Sequence, residues 1–269
     1  MTPPFRVDDV RGARIAWNQT GRGPAAIWAH GLGSSAYRQE SSGEFDWRAV
    51  SSTRRLIRYD ARGHGRSTGG TAAHEYTWPE LGSDLLGLLD VAAPGEPVDA
   101  IGASMGAATI VYAALAEPDR FRRLVLVTPP TIWGTRRAMA TERLESADLI
   151  DRHGLAAFER VGVDEPVSPA LAEARRFVAP IAVRASVFPW VLRGAAESDL
   201  PAPSVLASLE IPTLVLSWTG DHAHPVSSGE LLADTLPTAR LAVADTPHQL
   251  RSWPRVVAAF LDNPSAGAS

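Results

Sequence analysis

Short apolar runs rich in β-branched residues recur along the chain, at Ala25–Ala29, Arg55–Tyr59, Val98–Ile101, Leu124–Val127 and Thr213–Ser217. Continuous apolar character, as opposed to strict alternation, marks strands covered on both faces, the pattern of a parallel sheet flanked by helices. Arg14–Asn18 alternates instead, as an edge hairpin strand does, and Arg240–Val243 reads as the last strand. Segments of helical period lie between the runs. Pro79–Val91 sets Leu81, Leu85, Leu88 and Leu89 on one face and opens with a proline, which the first turn tolerates. Met105–Glu117 is stopped by Pro118, and Ser227–Thr235 and Pro254–Leu261 complete the set. Strand and helix alternate throughout, which predicts a doubly wound α/β domain with a mostly parallel central sheet.

The rhythm breaks between residues 131 and 204. Helical stretches at Arg136–Arg152, Ala170–Val178 and Ile181–Leu192 are interrupted by Gly154, Pro166, Pro169, Pro180 and Pro189, with no parallel strand among them. A helical insertion after the sixth strand emerges at the carboxyl ends of the sheet, over the crevice where such folds bind ligands. The expected organisation is therefore a core of residues 1–130 and 205–262, a helical cap of 131–204 and a flexible tail of 263–269. An ordinary crossover with extra helices is the plainer alternative for the insertion.

Composition narrows the function classes. All 26 basic residues are arginine against 30 acidic ones, for a net charge of -4, so there is no basic excess for nucleic acid. Lysine is absent, which excludes lysine Schiff-base and general-base chemistry. Cysteine is absent too, which excludes disulfides, thiolate nucleophiles and cysteine-ligated metals. The first residues lack the basic and apolar regions of a secretory signal, and no run approaches the roughly 18 apolar residues of a membrane span. The expectation is a cytoplasmic protein, monomeric or homodimeric, with neither membrane nor nucleic acid as partner.

The pentapeptide Gly102-Ala103-Ser104-Met105-Gly106 directly follows the apolar run Val98–Ile101. A serine between glycines at a strand-to-helix junction suits a sharp turn that lifts its hydroxyl clear of the sheet. A helix N-terminus capped by Ser104 is the bland reading of the same residues. Serine is a poor nucleophile at neutral pH and needs a base, itself oriented by a third group. Among the seven histidines, His248 follows the last predicted strand and precedes the last predicted helix, on the rim that holds Ser104. Asp221 lies just past the strand Thr213–Ser217 on that rim. The chain order Ser104, Asp221, His248 is the order of elbow-bearing hydrolases. His222 and His224 are the rivals of His248; His224-Pro225 reads better as shaping the turn into the next helix, and Asp221 has the competing role of bonding its own turn.

An attacked carbonyl becomes an oxyanion, for which preorganised N–H groups contribute on the order of 3–4 kcal/mol each. The amide of Met105, first after the nucleophile, is one expected donor. The amide of Leu32, in the glycine-bearing exit Ala29-His30-Gly31-Leu32-Gly33 of the strand Ala25–Ala29, is the other. His30 is expected to support that loop through its side chain.

Four ordered motifs now stand together: His30-Gly31-Leu32-Gly33, Asp60-Ala61-Arg62-Gly63-His64-Gly65-Arg66-Ser67, the serine elbow, and Gly220-Asp221 with His224-Pro225 followed by His248. With them the chain resembles the α/β-hydrolase fold superfamily, in particular its capped esterase, lactonase and haloperoxidase-like group. The resemblance implies the α/β-hydrolase fold, action on an ester, lactone or related carbonyl carbon of a small molecule, and no cofactor or metal. It implies that the loop from Asp60 to Ser67 is structural. An elbow serine also separates the chain from dehalogenases and epoxide hydrolases of this fold, which use aspartate there. Two positions depart from the family pattern: Trp218 stands three residues before the acid, and Pro247 replaces the glycine that usually precedes the histidine.

A carboxylesterase-like enzyme with an acyl-enzyme on Ser104 is the expectation. A carbon–carbon bond hydrolase or acyltransferase on the same triad, and a non-enzymatic small-molecule receptor, remain open. Trp133, Trp190, Trp218, His30 and Gly31 are candidate pocket residues, although tryptophan equally packs cores. Arginines 136, 137, 143, 152, 175, 176 and 184 of the insertion are interleaved with acidic residues and read as a solvated face in preference to a carboxylate-binding site.

Overall fold

The computed structural model describes residues 4–41, 45–161, 168–173 and 181–263. In chain order these hold β1 (Arg6–Val10), β2 (Ala13–Thr20), β3 (Ala25–Ala29), α1 (Ala36–Ser41), α2 (Arg48–Ser51), β4 (Arg55–Tyr59), α3 (Trp78–Ala92), β5 (Val98–Ala103), α4 (Met105–Ala116) and β6 (Phe121–Val127). There follow α5 (Arg136–His153), α6 (Leu155–Val161), α7 (Phe188–Ala196), α8 (Pro203–Leu206), β7 (Thr213–Trp218), α9 (Val226–Thr235), β8 (Ala239–Ala244) and α10 (Pro247–Asp262). The strands form one sheet in the order β1-β2-β4-β3-β5-β6-β7-β8. β1 and β2 pair antiparallel, as does β2 with β4, and every pairing from β4 to β8 is parallel. This is the α/β-hydrolase fold that the motifs imply.

The continuous apolar runs are explained by the two faces of the sheet. Successive side chains of a strand point to opposite sides. Ala25, Ile27 and Ala29 of β3 join Val98 and Ala100 of β5 in a core under α3 and α4. Their neighbours Ala26 and Trp28, with Ile101 and Ala103, join a second core under α10 that includes Trp253, Val257 and Phe260. β3, β5 and β7 are buried at every position for this reason.

Parallel register brings the carboxyl ends of the strands to one rim. Ala29 is opposite Gly102, Ala103 opposite Val127, and Trp218 opposite Ala244, so β3, β5, β6, β7 and β8 end at one edge of the sheet. Among the described residues between β6 and β7 the regular elements are helices, and α5 and α7 pack together over a third apolar cluster that includes Ala147, Ile150, Phe188 and Leu192. The expected helix over Ile181–Leu192 begins only at Phe188, because Val183 bridges to His64 and the chain turns before Pro189 can open the helix. Most of the expected stretch Ala170–Val178, and with it Arg175 and Arg176, lies outside the described residues, as does the tail beyond Asn263. No helix among the described residues is long and apolar enough to cross a membrane.

Two glycines set the distance between α4 and the sheet. A Cβ on Gly102 would lie 2.4 Å from the Gly106 carbonyl oxygen, and one on Gly106 would lie 2.1 Å from that of Ala29. Both contacts are with backbone, which cannot rotate away. Gly106→Ala should therefore lower unfolding free energy by about 3 kcal/mol or more, as overpacking of a rigid site does, measured by urea denaturation; a variant as stable as the parent would contradict this packing.

Candidate active site

Ser104 occupies the single residue between β5 and α4, with φ 52° and ψ −116°. Such a conformation costs a side-chain-bearing residue of the order of 1–3 kcal/mol, and it is held by the bond from the Ser104 amide to the Val127 carbonyl at 3.0 Å. The turn points the hydroxyl out of the sheet into a cleft of about 300 Å³, part of it open to solvent.

His224 fills the position next to the hydroxyl. Its Nε2 is 2.8 Å from Ser104 Oγ, and its Nδ1 is 2.8 Å from Asp221 Oδ2. With the proton on Nδ1 and donated to the carboxylate, Nε2 is left to accept from the serine. Asp221 is fixed from three further directions. Trp218 Nε1–H donates to Oδ2 at 2.8 Å, and the amides of Ala223 and His224 donate to Oδ1 at 3.0 and 3.2 Å. Burial pushes the Asp221 carboxyl up, but the hydrogen bond and charge of His224, followed by the bonds from the Trp218 indole and the His224 amide, outweigh it and hold the group far below the usual carboxylate range.

His248 is not in this constellation. The expectation that it sits in a loop rested on a helix starting at Pro254, whereas α10 starts at Pro247 and carries Pro254 in its interior. Thr246 and Gln249 form a reciprocal capping box around that start, so His248 falls in the first helical turn, exposed to solvent. The T-x-x-Q spacing is visible in the sequence and is the signal that locates this helix start. Asp245 is exposed beside it, its amide bonded to Gln249 Oε1 at 2.9 Å. His222 also points elsewhere, with Nε2 at 3.7 Å from Glu142 of α5.

The cleft is lined by Leu32 and Met105, by Trp78 and Pro130, by Arg136, Met139 and Arg143 of α5, by Ala195 of α7, and by Ala223 and His224. Among the described residues, neither the Leu32 nor the Met105 amide donates to another group of the chain. Of the candidate pocket residues, Trp218 is buried between Phe45 and Trp253 and serves Asp221 instead of the cleft. Trp133 donates its indole N–H to Pro201, and Trp190 packs in the α5–α7 cluster under Arg193. His30 and Gly31 are structural too. His30 Nε2 accepts from the Ala61 amide at 2.9 Å, so its Nδ1–H donates to the Gly31 carbonyl at 2.8 Å. The sequence reading missed Trp78, Met139 and Ala195, which are distant in the chain and marked by no motif.

The loop from Asp60 to Ser67 acts as a brace behind this site. Asp60 accepts from the amides of Ala36 and Arg66. His64 Nε2 accepts from the Gly33 amide at 3.2 Å while its Nδ1–H donates to the Arg62 carbonyl at 2.8 Å, tying the Leu32 loop to the segment that follows β4.

Comparison with known proteins agrees with this architecture. The sequence pattern of the α/β hydrolase fold matches residues 27–161, half of the chain, and the protein belongs to that family. An epoxide hydrolase of Caballeronia sordidicola is 32% identical over 128 residues, which are 46% of this chain and 36% of that relative, so the chain spans only about a third of its length. The 3-oxoadipate enol-lactonase 1 of Acinetobacter baylyi is 26% identical over 84% of this chain and 82% of its own. A hydrolase of Pseudomonas aeruginosa PA01 superimposes with a TM-score of 0.78 at 27% identity, covering 96% of this chain and 98% of that one.

Burial holds His30 down to about 4, and burial with the neighbouring charge of His30 holds His64 down to about 3. Both rings are neutral in the fold yet titrate near 6.5 when unfolded, so acidification loads protons onto the unfolded chain first. Their stabilising effect is complete above pH 6.5 and is lost as the pH falls towards the folded values. Urea denaturation from pH 7 to 5 should show stability falling with a limiting slope of about 1.4 kcal/mol per pH unit for each histidine. His64→Gln should flatten the slope; a parent protein equally stable across that window would contradict the buried neutral pair.

Proposed function

We propose that the protein is a serine hydrolase that cleaves a carboxylic ester or lactone through an acyl-enzyme on Ser104, with His224 as general base and Asp221 as its orienting acid. The observation that carries this reading is the unbroken pair of 2.8 Å contacts from Ser104 Oγ through His224 to Asp221. The serine, acid, histidine order of such folds is preserved with His224 in place of His248.

In the proposed reaction His224 Nε2 takes the Oγ proton as Oγ bonds to the carbonyl carbon, and the carbonyl electron pair moves onto oxygen. The amides of Leu32 and Met105, both at the cleft and both without an acceptor among the described residues, receive that oxyanion. Asp221 stabilises the imidazolium without taking its proton. As the oxygen pair returns, the carbon–oxygen bond to the alcohol breaks and His224 Nε2–H protonates the departing alkoxide, which stays tethered when the substrate is a lactone. Water then enters, gives one proton to His224 and its oxygen to the acyl carbon, and the acid leaves as Ser104 recovers its proton.

The described helices between β6 and β7 act in this reading as a cap, since Arg136, Met139 and Arg143 of α5 and Ala195 of α7 line the cleft that holds Ser104. The enol-lactonase relative favours the same carbonyl chemistry. The epoxide hydrolase likeness covers under half the chain, and an elbow serine in place of aspartate speaks against epoxide opening here.

A fluorophosphonate should label the protein with a one-adduct mass shift, and Ser104→Ala should abolish it. His224→Ala should lower kcat on short p-nitrophenyl esters by about 10³-fold or more, as loss of a triad base does, whereas exposed His248→Ala should change it less than about twofold. The reverse pattern of losses would return the base role to His248, and labelling that survives Ser104→Ala would remove the serine from the reaction.

A further inference from the structure

The cleft that holds Ser104 is also cationic. Arg136, Met139 and Arg143 follow one another at i, i+3 and i+7 along α5, which puts them on one face of that helix, and all three line the cleft with Ser104 and His224. Arg136 is only 6% exposed. Its guanidinium donates to neutral oxygens alone: Nε to the Ser198 carbonyl at 2.7 Å, one terminal nitrogen to Thr131 Oγ1 at 3.2 Å and the other to the Ala195 carbonyl. Its Cζ lies 4.4 Å from the centre of the Trp78 ring.

Two other buried arginines of the fold are treated differently. Arg54 is paired with Asp99 at 2.8 Å and Arg62 with Asp84 at 2.7 Å. Among the described residues Arg136 has no such ion pair. The nearest acidic influence is Asp199, whose carboxylate already accepts the amides of Trp133 and Leu200. Burial, then repulsion from Arg143, pulls the Arg136 guanidinium down to about 10, so it remains charged at neutral pH. A buried charge without a counter-ion is costly, and an anion entering the cleft relieves that cost. The guanidinium retains N–H groups beyond the three already bonded, in the planar fork that suits a carboxylate.

We infer that Arg136 and Arg143 form an anion subsite of the reaction cleft, which selects small esters or lactones that carry a carboxylate near the carbonyl under attack. This rests on the serine hydrolase reading for its catalytic consequence, but not for its binding consequence. Because both arginines and Ser104 line one cleft, a single small substrate can reach the subsite and the nucleophile together. Arg143 contributes longer-range attraction from a half-buried position, and Arg136 supplies the desolvated contact. The two together oppose an uncharged chain of the same length, which would leave Arg136 buried against hydrocarbon.

Two substrates of equal chain length test this: mono-p-nitrophenyl adipate, which ends in a carboxylate, and p-nitrophenyl hexanoate, which ends in a methyl group. The wild-type protein should prefer the adipate ester in kcat/KM by about tenfold or more, the scale of one charge-assisted hydrogen bond, and the preference should shrink with added salt. Free adipate should inhibit competitively and adipamide should not. Arg143→Gln should reduce the adipate-to-hexanoate ratio by about fivefold. Arg136→Gln should reduce it further, although loss of its bonds to Ala195 and Ser198 threatens folding, so the wild-type ratio and the Arg143 variant decide the matter. Equal or better use of the hexanoate ester by the wild type would overturn the subsite, as would an Arg143→Gln protein with an undiminished ratio. Failure of an uncharged fluorophosphonate to label Ser104 would instead strike the hydrolase reading. In that event calorimetry with adipate against adipamide still judges the subsite: binding of adipate alone supports it, and equal or absent binding of both rejects it.

Discussion

The approach of α4 to the end of β3 is the constraint on which the site depends. With hydrogen alone at Gly106, the helix comes close enough to the Ala29 carbonyl that a methyl group there would sit 2.1 Å from oxygen. That closeness brings the first amide of α4 beside the Leu32 loop and aims Ser104 at the same volume. The strained backbone of Ser104 follows from it, because the chain must reverse within one residue to pass from β5 into a helix so near the sheet. Behind the loop, two buried neutral histidines and Asp60 supply the stiffness that keeps the Leu32 amide from relaxing into a turn of its own.

Much of this was legible in the sequence, for identifiable reasons. β3 and β4 appear at their true bounds because runs such as Ala25–Ala29 are apolar on both faces and punctuated by glycine and arginine. The elbow was legible because its glycines answer to steric demands that no other residue meets. β1 was passed over because its sequence Arg6-Val7-Asp8-Asp9-Val10 is largely polar, as an exposed edge strand allows. The histidine was misplaced for a local reason. Sequence order favours a residue after the last strand, and the capping of α10 by Thr246 and Gln249 carries His248 out to solvent instead.

Asp221 shows that two readings of one residue need not compete. Bonding its own turn and orienting a base look like rivals in sequence. In the fold, Oδ1 takes the turn amides and Oδ2 takes the imidazole. The turn places His224 where the acid can reach it, and Pro225 restricts the backbone just beyond. The arginines of α5 were read from the sequence as a solvated face. A charge-rich helix is solvated on most of its surface, and only the register of Arg136 and Arg143 against the sheet edge separates them from their exposed neighbour Arg137.

The short spacing of Asp221 and His224 has an architectural consequence. Asp221 and the His224 imidazole sit within four residues of one loop after β7, so their mutual alignment does not rely on the docking of distant segments. The edge formed by β8 and α10 is then answerable only to packing against the sheet, through residues such as Trp253, Val257 and Phe260. In a protein so arranged, the carboxyl-terminal flank is free to drift in sequence and loop length wherever its buried face is kept, while the β7 turn is the segment in which an insertion would be least tolerated.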